Sequence, residues 1–331
     1  MKLFRWKQKQ YKRWNSKQNN KVISFRGATS LVPLTVPRPI LLTPMNQNNL
    51  IKLTESPRDA QQGLPYVISP ERRAAYINAL MKVGFDVIDF GSFVSPKAIP
   101  QMAEAGRVLS MVDKSRGLTK LMAIVGNLRG GEEAAAHKAL DIIGFPYSTS
   151  ETFLMKNIHA NSAKANEIID GLQDLCNANG KELRVFISLA FGNPYNDRWD
   201  VNILSGHIEN LTSKGISTIT LADTIGIASA QLIDSVYSTL LQRFPGIEFG
   251  LHLHTRPGEW YAKLSAAWNA GCRWYEGVIS GVGGCPMTGY ELVGNLDTLS
   301  LISFLEEKKV NHHINTSHLF NAVRLAGEWN S

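Results

Sequence analysis

The hydrophobic and polar positions follow two alternating patterns from residue 49 to the end of the chain. Short apolar runs rich in β-branched residues predict strands, and longer runs with an apolar residue every three or four positions predict amphipathic helices. Eight runs predict strands, at residues 50–54, 86–90, 120–125, 141–145, 183–190, 218–222, 248–254 and 273–279. Several of the runs between them begin with Ser or Pro and end with Gly, as helices do. The chain thus alternates strand and helix eight times.

This alternation predicts an α/β fold with parallel strands, because each helix returns the chain to the same end of the sheet. Eight such units in about 280 residues suit a closed (β/α)8 TIM barrel. An open doubly wound sheet is the alternative, but it should have a glycine-rich turn after the first strand, and TESPRDAQQG at 54–63 is not one. The last run, NTSHLFNAVRLAGEW, predicts an extra C-terminal helix outside the barrel.

The net charge of +7 is concentrated at the N-terminus. Residues 1–44 contain ten Lys and Arg and no Asp or Glu, so residues 45–331 carry a net charge of −3. A mildly acidic body predicts no groove for the phosphates of a nucleic acid. We therefore divide the chain into a basic N-terminal extension at 1–48, predicted to be disordered, and a TIM-barrel catalytic domain at 49–331.

The basic extension has three interpretations. An organelle transit segment would be cationic and free of acids, but residues 1–44 are rich in Lys, Gln and Asn rather than in Arg and Ser. A disordered arm that touches anionic surfaces, or a start codon upstream of a true start at Met45, explains the composition better. We predict a cytoplasmic protein, with the mitochondrial matrix as the alternative if the extension is a transit segment.

The apolar runs and the cysteines further restrict the cellular compartments that the sequence predicts. No run approaches the roughly 20 apolar residues of a membrane helix, and no secretory signal is visible. The chain has three cysteines, an odd number without a framework spacing. This pattern indicates a reducing compartment and no disulfide scaffold.

Polar residues collect where the predicted strands end, which is where TIM barrels place their chemistry. They are Arg58 and Asp59 after strand 1, Asp89 near the end of strand 2, Asp223 and Thr224 after strand 6, His252 and His254 in strand 7, and the glycine-rich SGVGGCPMTGYELVGN at 280–295 after strand 8. Each has an ordinary interpretation alone: a solvated ion pair, a structural carboxylate, a helix cap or a flexible loop. Their occurrence at one end of one barrel favours a site.

The stretch FGLHLHTRPGEW carries the most specific signal. His252 and His254 are two positions apart, so in a strand they face the same way, and burying two unpaired imidazoles is costly. Together with the Asp59 carboxylate they make three N/O ligands for Mg²⁺, Mn²⁺ or Zn²⁺, and the lack of a thiolate argues against a structural zinc site. A metal with open positions would act as a Lewis acid on a hydroxyl or carbonyl oxygen.

The order of the motifs resembles that of the 3-hydroxy-3-methylglutaryl-CoA lyase family, which belongs to the metal-dependent lyase and synthase branch of TIM barrels. The motifs are SPRDAQQ, VIDFGSFVSPKAIPQM, SETFLMKNI, LADTIG, HLH and GVGGCP, and the resemblance as a whole covers roughly residues 49–309. SFVSPK and GGCP are the specific pieces, because the Claisen-type synthases of the same branch lack the GGCP cysteine loop.

The resemblance implies an acyl-CoA substrate, a divalent metal (Mg²⁺ or Mn²⁺) and a role for each matching residue. The implied metal ligands are Asp59, His252, His254 and Asn295. The implied catalytic residues are Arg58, which stabilises the enolate of the departing acetyl-CoA, Cys285, which assists proton transfer, His252 and Asp89. The implied substrate-binding residues are Arg58, Gln62, Ser92, Asp223 and Thr224.

The chain also departs from the family pattern. Thr255 stands where the family has Asp after the two histidines, so a carboxylate that would orient a metal-bound imidazole is expected to be missing. Asp89 replaces a Glu and is one methylene shorter. The stretch from Cys285 to Asn295 is one residue longer than usual and contains the bulky Tyr290 and Glu291.

The predicted activity is cleavage of a 3-hydroxyacyl-CoA to acetyl-CoA and a keto acid such as acetoacetate. Two alternatives stay open: a synthase that condenses an acyl-CoA with a 2-keto acid, and a catalytically weak barrel kept as a binding protein. The predicted partner is a small acyl-CoA molecule rather than a nucleic acid or a membrane. The sequence leaves the oligomeric state open, with a homodimer as one option.

Overall fold

The computed structural model of the protein describes residues 51–115, 117–284 and 293–328. Within these ranges eight parallel strands form one barrel in chain order, which β1 closes by pairing with β8. The strands are β1 Lys52–Glu55, β2 Val87–Phe93, β3 Lys120–Val125, β4 Ile142–Ser148, β5 Glu182–Ser188, β6 Thr218–Asp223, β7 Glu248–Leu253 and β8 Trp274–Gly277. The predicted TIM barrel is confirmed.

Helices connect the strands on the outside of the barrel. In the described ranges they are α1 Pro57–Gln62, α2 Pro70–Leu80, α3 Ala105–Ser110, α4 Leu128–Ala135, α5 Glu151–Ile158, α6 Ser162–Asn179, α7 Val201–Ser213, α8 Ala230–Arg243, α9 Trp260–Asn269, α10 Thr298–Glu307 and α11 Thr316–Gly327. The Ser and Gly residues predicted to start and end helices do so in three cases. The Ser69 side chain caps α2, Ser229 caps α8, and Gly180 ends α6 in the left-handed conformation. The predicted extra C-terminal helix is α11, which packs against α2.

Two strands run three residues beyond their predicted ends. In β2 the pairing with β3 shifts between Asp89 and Gly91, so Phe90 is an extra residue, a β-bulge. In β4 the prediction stops before Pro146, because proline cannot donate to a strand ladder. Pairing of β4 with β3 ends at Gly144, so Pro146 has a partner strand only on the β5 side. Among the described residues there is no strand ladder on the β3 side at this level that would require an N–H from residue 146.

The barrel encloses a second, smaller core inside the main one. Outward-facing strand residues pack against the helices, while Val87, Met122, Ile142, Phe186 and Trp274 pack against one another in the lumen. Gly250 makes room for this layer, because a Cβ there would lie 2.9 Å from the Thr220 hydroxyl. The strands are thereby held close, and their carboxyl ends converge on one mouth.

None of the helices in the described ranges combines the length and the apolar character that crossing a membrane requires. The predicted extension at 1–48 and the boundary at residue 49 lie outside the described residues. Both stay predictions.

Candidate active site

Helix α1 begins the site at the mouth of the barrel. Its first residue is Pro57, whose fixed φ suits that position, and Arg58, Asp59 and Gln62 follow. Asp59 and Gln62 are three residues apart and share a face, and Gln62 Nε2 donates to Asp59 Oδ1 over 2.7 Å. The peptide of Gly283 presses on the backbone of Asp59 so closely that a Cβ at this position would lie 2.3 Å from the Asp59 carbonyl oxygen.

The two histidines of β7 converge as their spacing predicts. The Nε2 atoms of His252 and His254 are 3.0 Å apart, and each lies 4.0 Å from Asp59 Oδ2. All three side chains are buried, and their candidate ligand atoms lie within 4.8 Å of one another. A buried group of two imidazoles and one carboxylate is a ligand set for a divalent metal.

The charges of the cluster suit the binding of a cation. Burial alone would raise the pKa of Asp59, but the guanidinium of Arg58 and the two imidazoles lower it from 3.8 to about 2. Burial, with help from His252, lowers the pKa of His254 to about 4. Near neutral pH, Asp59 is therefore a carboxylate and His254 is a neutral imidazole, the forms that bind metals. Burial alone would lower the pKa of His252 too, but its hydrogen bond with Glu276 and the charge of Asp59 outweigh burial and raise it.

The two imidazoles lie within hydrogen-bond distance of each other through their Nε2 atoms, which both face Asp59. These atoms would be the ones to hold an ion. The predicted ligands Asp59, His252 and His254 are thus brought together, and they fit a divalent metal; which ion binds stays a prediction.

Asn295, the fourth predicted ligand, lies in the same place but presents a donor. Its amide nitrogen donates to Asp59 Oδ2 over 2.7 Å and to the carbonyl oxygen of Val282 over 2.9 Å. In this arrangement Asn295 orients the Asp59 carboxylate. Its role as a metal ligand stays a prediction.

Arg58 lies between two carboxylates. Its Nη1 donates to Asp59 Oδ1 over 2.8 Å, while Nε and Nη2 lie 2.9 Å and 2.7 Å from Asp89 Oδ2. The second oxygen, Oδ1 of Asp89, is buried and has no hydrogen-bond partner among the described residues. Burial raises the pKa of Asp89 to about 6 despite Arg58. The two ion pairs hold Arg58 in one orientation at the mouth.

Glu276 is a residue of the site that the sequence pattern did not identify. It is buried in β8, and its Oε2 lies 3.0 Å from His252 Nδ1. The expectation that no carboxylate would orient an imidazole, drawn from Thr255, is therefore wrong for His252. The sequence offered one signal for this residue, an acid in the middle of the apolar strand RWYEGV. The structure adds that Glu276 is in register with His252 on the neighbouring strand.

A cavity of about 180 Å³ opens beside the cluster. Arg58, Asp59 and the two histidines line one side of it. The lining from the other side of the barrel is mostly apolar, with Ile124, Pro146 and Phe186 from β3, β4 and β5, and with Val94, Ile99 and Phe153 from the loops and helix beyond the strand ends. Ser188 and Asn157 add two polar groups to it. The pocket thus has a charged wall and an apolar wall.

The predicted substrate-binding residues occupy different positions. Gln62 and Thr224 line the cavity. Ser92 pairs with Ile124, so it faces the lumen, and its buried hydroxyl has no partner among the described residues. Asp223 is engaged elsewhere: it accepts from Lys263 Nζ over 3.1 Å and from the Ala228 N–H. Its carboxylate fixes the turn after β6 rather than lining the pocket.

Cys285, predicted to be catalytic, lies outside the described residues, as do Tyr290 and Glu291 of the long loop. The two ends of that loop are placed at the site. Gln62 Nε2 approaches the carbonyl oxygen of Gly284 at 3.5 Å, and the N–H of Thr255 donates to the carbonyl oxygen of Gly294. The role of Cys285 stays a prediction.

Comparison with known proteins gives the same assignment as the geometry. The HMGL-like family profile matches residues 50–325. The chain belongs to the HMGL-like family. A hydroxymethylglutaryl-CoA lyase of Bacillus subtilis is 31% identical over 81% of this chain and 89% of its own length. An (R)-citramalyl-CoA lyase of Chloroflexus aurantiacus is 29% identical over 81% of this chain and 86% of its own.

Solved structures of HMGL-like proteins agree in fold. The HMG-CoA lyase of B. subtilis has a TM-score of 0.79 at 30% identity, over 85% of this chain and 93% of that one. An HMG-CoA lyase of Acinetobacter baumannii, solved with coenzyme A and 3-methylmalate, has a TM-score of 0.77 at 26% identity, over 83% and 90%. The predicted family is confirmed, and the chain is an enzyme of the lyase class.

Proposed function

We propose that the protein is a divalent-metal-dependent carbon–carbon lyase that cleaves a 3-hydroxyacyl-CoA, such as 3-hydroxy-3-methylglutaryl-CoA, to acetyl-CoA and a keto acid. The observation that carries the proposal is the buried cluster of Asp59, His252 and His254 beside Arg58 at the mouth of the barrel. The names of the relatives, hydroxymethylglutaryl-CoA lyase and (R)-citramalyl-CoA lyase, support a CoA thioester substrate. So does the coenzyme A in the A. baumannii structure.

The metal would be held by Asp59, His252 and His254, with Mg²⁺ or Mn²⁺ as the proposed ion. When bound, it would supply Lewis acidity to the oxygens of the substrate. Asn295 and Gln62 each donate to one oxygen of Asp59, so they orient the carboxylate for this task. Because the cluster is buried, its electrostatic interactions are stronger than they would be in water.

The bond cleavage moves one electron pair onto the thioester. The 3-hydroxyl group loses its proton, the C2–C3 bond breaks, a keto group forms at C3, and the electron pair of the bond becomes the enolate of acetyl-CoA. Arg58 faces the pocket and has a side chain that is only 12% exposed, so its positive charge can stabilise the enolate oxygen. The ion pairs with Asp59 and Asp89 hold it in place before the reaction begins.

Two proton transfers complete the reaction. Asp89 is proposed to accept the hydroxyl proton, because its pKa of about 6 is close to the working pH of a general base and its Oδ1 lacks a hydrogen-bond partner among the described residues. Asp89 is buried behind Arg58 and does not line the cavity, so the proposed transfer passes through one bridging water. Cys285 is proposed to deliver a proton to the enolate carbon. This second role rests on the resemblance to the GGCP loop of the family.

The apolar wall is proposed to contact the substituent at C3. Ile124 and Phe186 face the cluster across the cavity, so a methyl or larger alkyl group opposite the hydroxyl would pack on them. The 3-methyl group of the proposed substrate fits this description. A purely polar acyl group would leave the wall without a partner.

The test is cleavage of a panel of 3-hydroxyacyl-CoA thioesters after chelation, with Mg²⁺ or Mn²⁺ added back. We expect acetyl-CoA and a keto acid from a 3-methyl substrate only when metal is restored. A condensing synthase would instead consume acetyl-CoA and a 2-keto acid, and formation of that product would replace the proposal. A protein that binds the thioesters without turnover would be a binding protein.

A further inference from the structure

The carboxylate of Glu276 lies in the lumen of the barrel, next to the cluster but away from the pocket. Its Oε2 is 3.0 Å from His252 Nδ1. Its other oxygen, Oε1, accepts from Thr220 Oγ1 over 3.2 Å and from Arg184 Nη1 over 3.3 Å. All of these side chains are buried. Glu276 therefore joins the imidazole above it to a guanidinium and a hydroxyl on neighbouring strands.

The contact with Glu276 decides which nitrogen of His252 carries the hydrogen. A carboxylate only accepts hydrogen bonds, so Nδ1 of His252 must donate to it. In a neutral imidazole the other nitrogen, Nε2, then has a free lone pair. This Nε2 is the atom that faces His254 and Asp59. The hydrogen bond to Glu276 thus directs a lone pair of His252 at the cluster.

Arg184 and Thr220 prevent Glu276 from turning round. Both donate to the same oxygen, Oε1, which leaves Oε2 for His252. Arg184 is fixed in turn by the Trp274 ring, whose centroid lies 3.3 Å from the guanidinium carbon. Residues of β5, β6 and β8 thereby determine the tautomer of a histidine on β7.

We propose that Glu276 is a positioning residue that holds His252 in the Nδ1–H tautomer, with Arg184 and Thr220 holding Glu276. The proposal deepens the metal site and rests on the proposed function for its consequence, which is a higher affinity for the ion. The alternative is that Glu276 merely compensates the buried charge of Arg184. The two differ in what they predict for His252.

Glu276→Gln separates these possibilities because glutamine has one accepting and one donating end. If its oxygen faces Arg184 and Thr220, its NH₂ group faces His252 and requires an acceptor at Nδ1, so the hydrogen moves to Nε2. If its oxygen faces His252, the NH₂ group meets the guanidinium of Arg184, which can only donate. We expect the first arrangement, with His252 in the Nε2–H tautomer and an affinity for Mn²⁺ that is about 10–100-fold weaker.

The measurement is ¹⁵N NMR of the histidine side chains in the metal-free full-length protein at alkaline pH, together with calorimetric titration of Mn²⁺. The matched control is Glu248→Gln, which removes a half-exposed carboxylate at the far end of β7. We expect it to leave both the tautomer and the affinity unchanged. Glu276→Asp keeps two accepting oxygens and should retain the Nδ1–H tautomer, with an affinity between those of the wild type and Glu276→Gln.

Three results would overturn the proposal: a wild-type His252 protonated at Nε2, an unchanged tautomer in Glu276→Gln, or an unchanged Mn²⁺ affinity in that variant when its tautomer has changed. The wild-type spectrum decides the first even if Glu276→Gln does not fold. Failure of the wild type to bind Mn²⁺ would refute the metal site but not the tautomer assignment. The two proposals are therefore tested separately.

Discussion

The two walls of the pocket are built from opposite sides of the same barrel and are chemically unlike. On the wall formed by α1 and β7, four ionisable side chains lie within hydrogen-bond or ion-pair distance of one another. On the wall formed by β3, β4 and β5, Ile124, Pro146 and Phe186 present carbon atoms to the cavity. A substrate between them would meet fixed charges on one side and a mostly apolar surface, with Ser188 and Asn157 as its polar groups, on the other.

The two walls are therefore expected to serve different steps: catalysis and metal binding on one side, and selection of the substrate on the other. Fixed charges stabilise charge that develops in the transition state, so the polar wall should govern kcat and metal affinity. An apolar wall stabilises ground state and transition state equally, so it should govern which acyl group is accepted. Substitutions on each wall, and removal of residues 1–44, test this division.

Arg58 should have the largest effect on turnover. Arg58→Gln keeps a polar side chain, though a shorter one, and removes the charge opposite the proposed enolate, so kcat should fall by roughly 10²–10³-fold while KM changes little. Arg58→Lys is the matched variant, which keeps the charge but not the fork that contacts Asp59 and Asp89. A normal kcat with a raised KM would make Arg58 a substrate anchor instead.

Loss of a proposed ligand should reduce metal affinity. His254→Ala removes one of the two imidazoles, and the affinity for Mn²⁺ measured by calorimetry should fall by at least about 100-fold, since loss of an outer partner alone costs about 10–100-fold. His318→Ala on the exposed surface of α11 is the control and should bind as the wild type does. Unchanged binding by His254→Ala would refute the assignment of the ligands.

The apolar wall should alter specificity without altering the metal. Ile124→Ala enlarges the pocket opposite the cluster, so the ratio of kcat/KM for a larger 3-alkyl substrate over a 3-methyl substrate should rise by roughly 10-fold. Measurement of both ratios and of Mn²⁺ affinity on one preparation checks the division directly. A fall in metal affinity in this variant would show that the two walls are not independent.

Removal of residues 1–44 of the basic N-terminal extension should have the smallest effect. Residues 1–44 contain ten basic residues and no acids, and they precede the first predicted strand, so we expect a chain that starts at Met45 to keep the melting temperature and the turnover of the full chain. Thermal denaturation and the lyase assay measure the two quantities. A large drop in either would show that these residues contribute to folding or to the site.

The sequence predicts the polar wall better than the apolar one. Arg58, Asp59, His252 and His254 are polar residues at the ends of apolar strands, and burial of such groups is costly enough to signal a purpose. Ile124 and Phe186 are apolar residues in apolar strands, so nothing in the pattern separates pocket residues from core residues. Glu276 was missed because its partners, Arg184 and Thr220, come from distant strands.

The strands were predicted from alternation and turn signals, and their starts lie within two residues of the observed ones. The ends of β2 and β4 could not be predicted, because they depend on pairing with neighbours. Pro146 is tolerated only because β3 has already diverged from β4 at that level. The bulge at Phe90 likewise has no signal in a single sequence.

The bulge at Phe90 interrupts the regular alternation of β2 side chains between the two faces of the strand. Phe90 and Gly91 both point to the helices, so Asp89 and Ser92, three positions apart, face the same interior. Counting alternate residues along an unbroken strand would assign Ser92 to the outside. Deletion of Phe90 would leave a simple alternation in which Gly91 still faces the helices and Ser92 still faces the interior, whereas an unbroken pairing of the natural sequence would exchange the inward and outward sets from Gly91 onward. The extra residue therefore shifts the alternation of inward and outward side chains in β2, so that Asp89 and Ser92 both face the interior of the barrel.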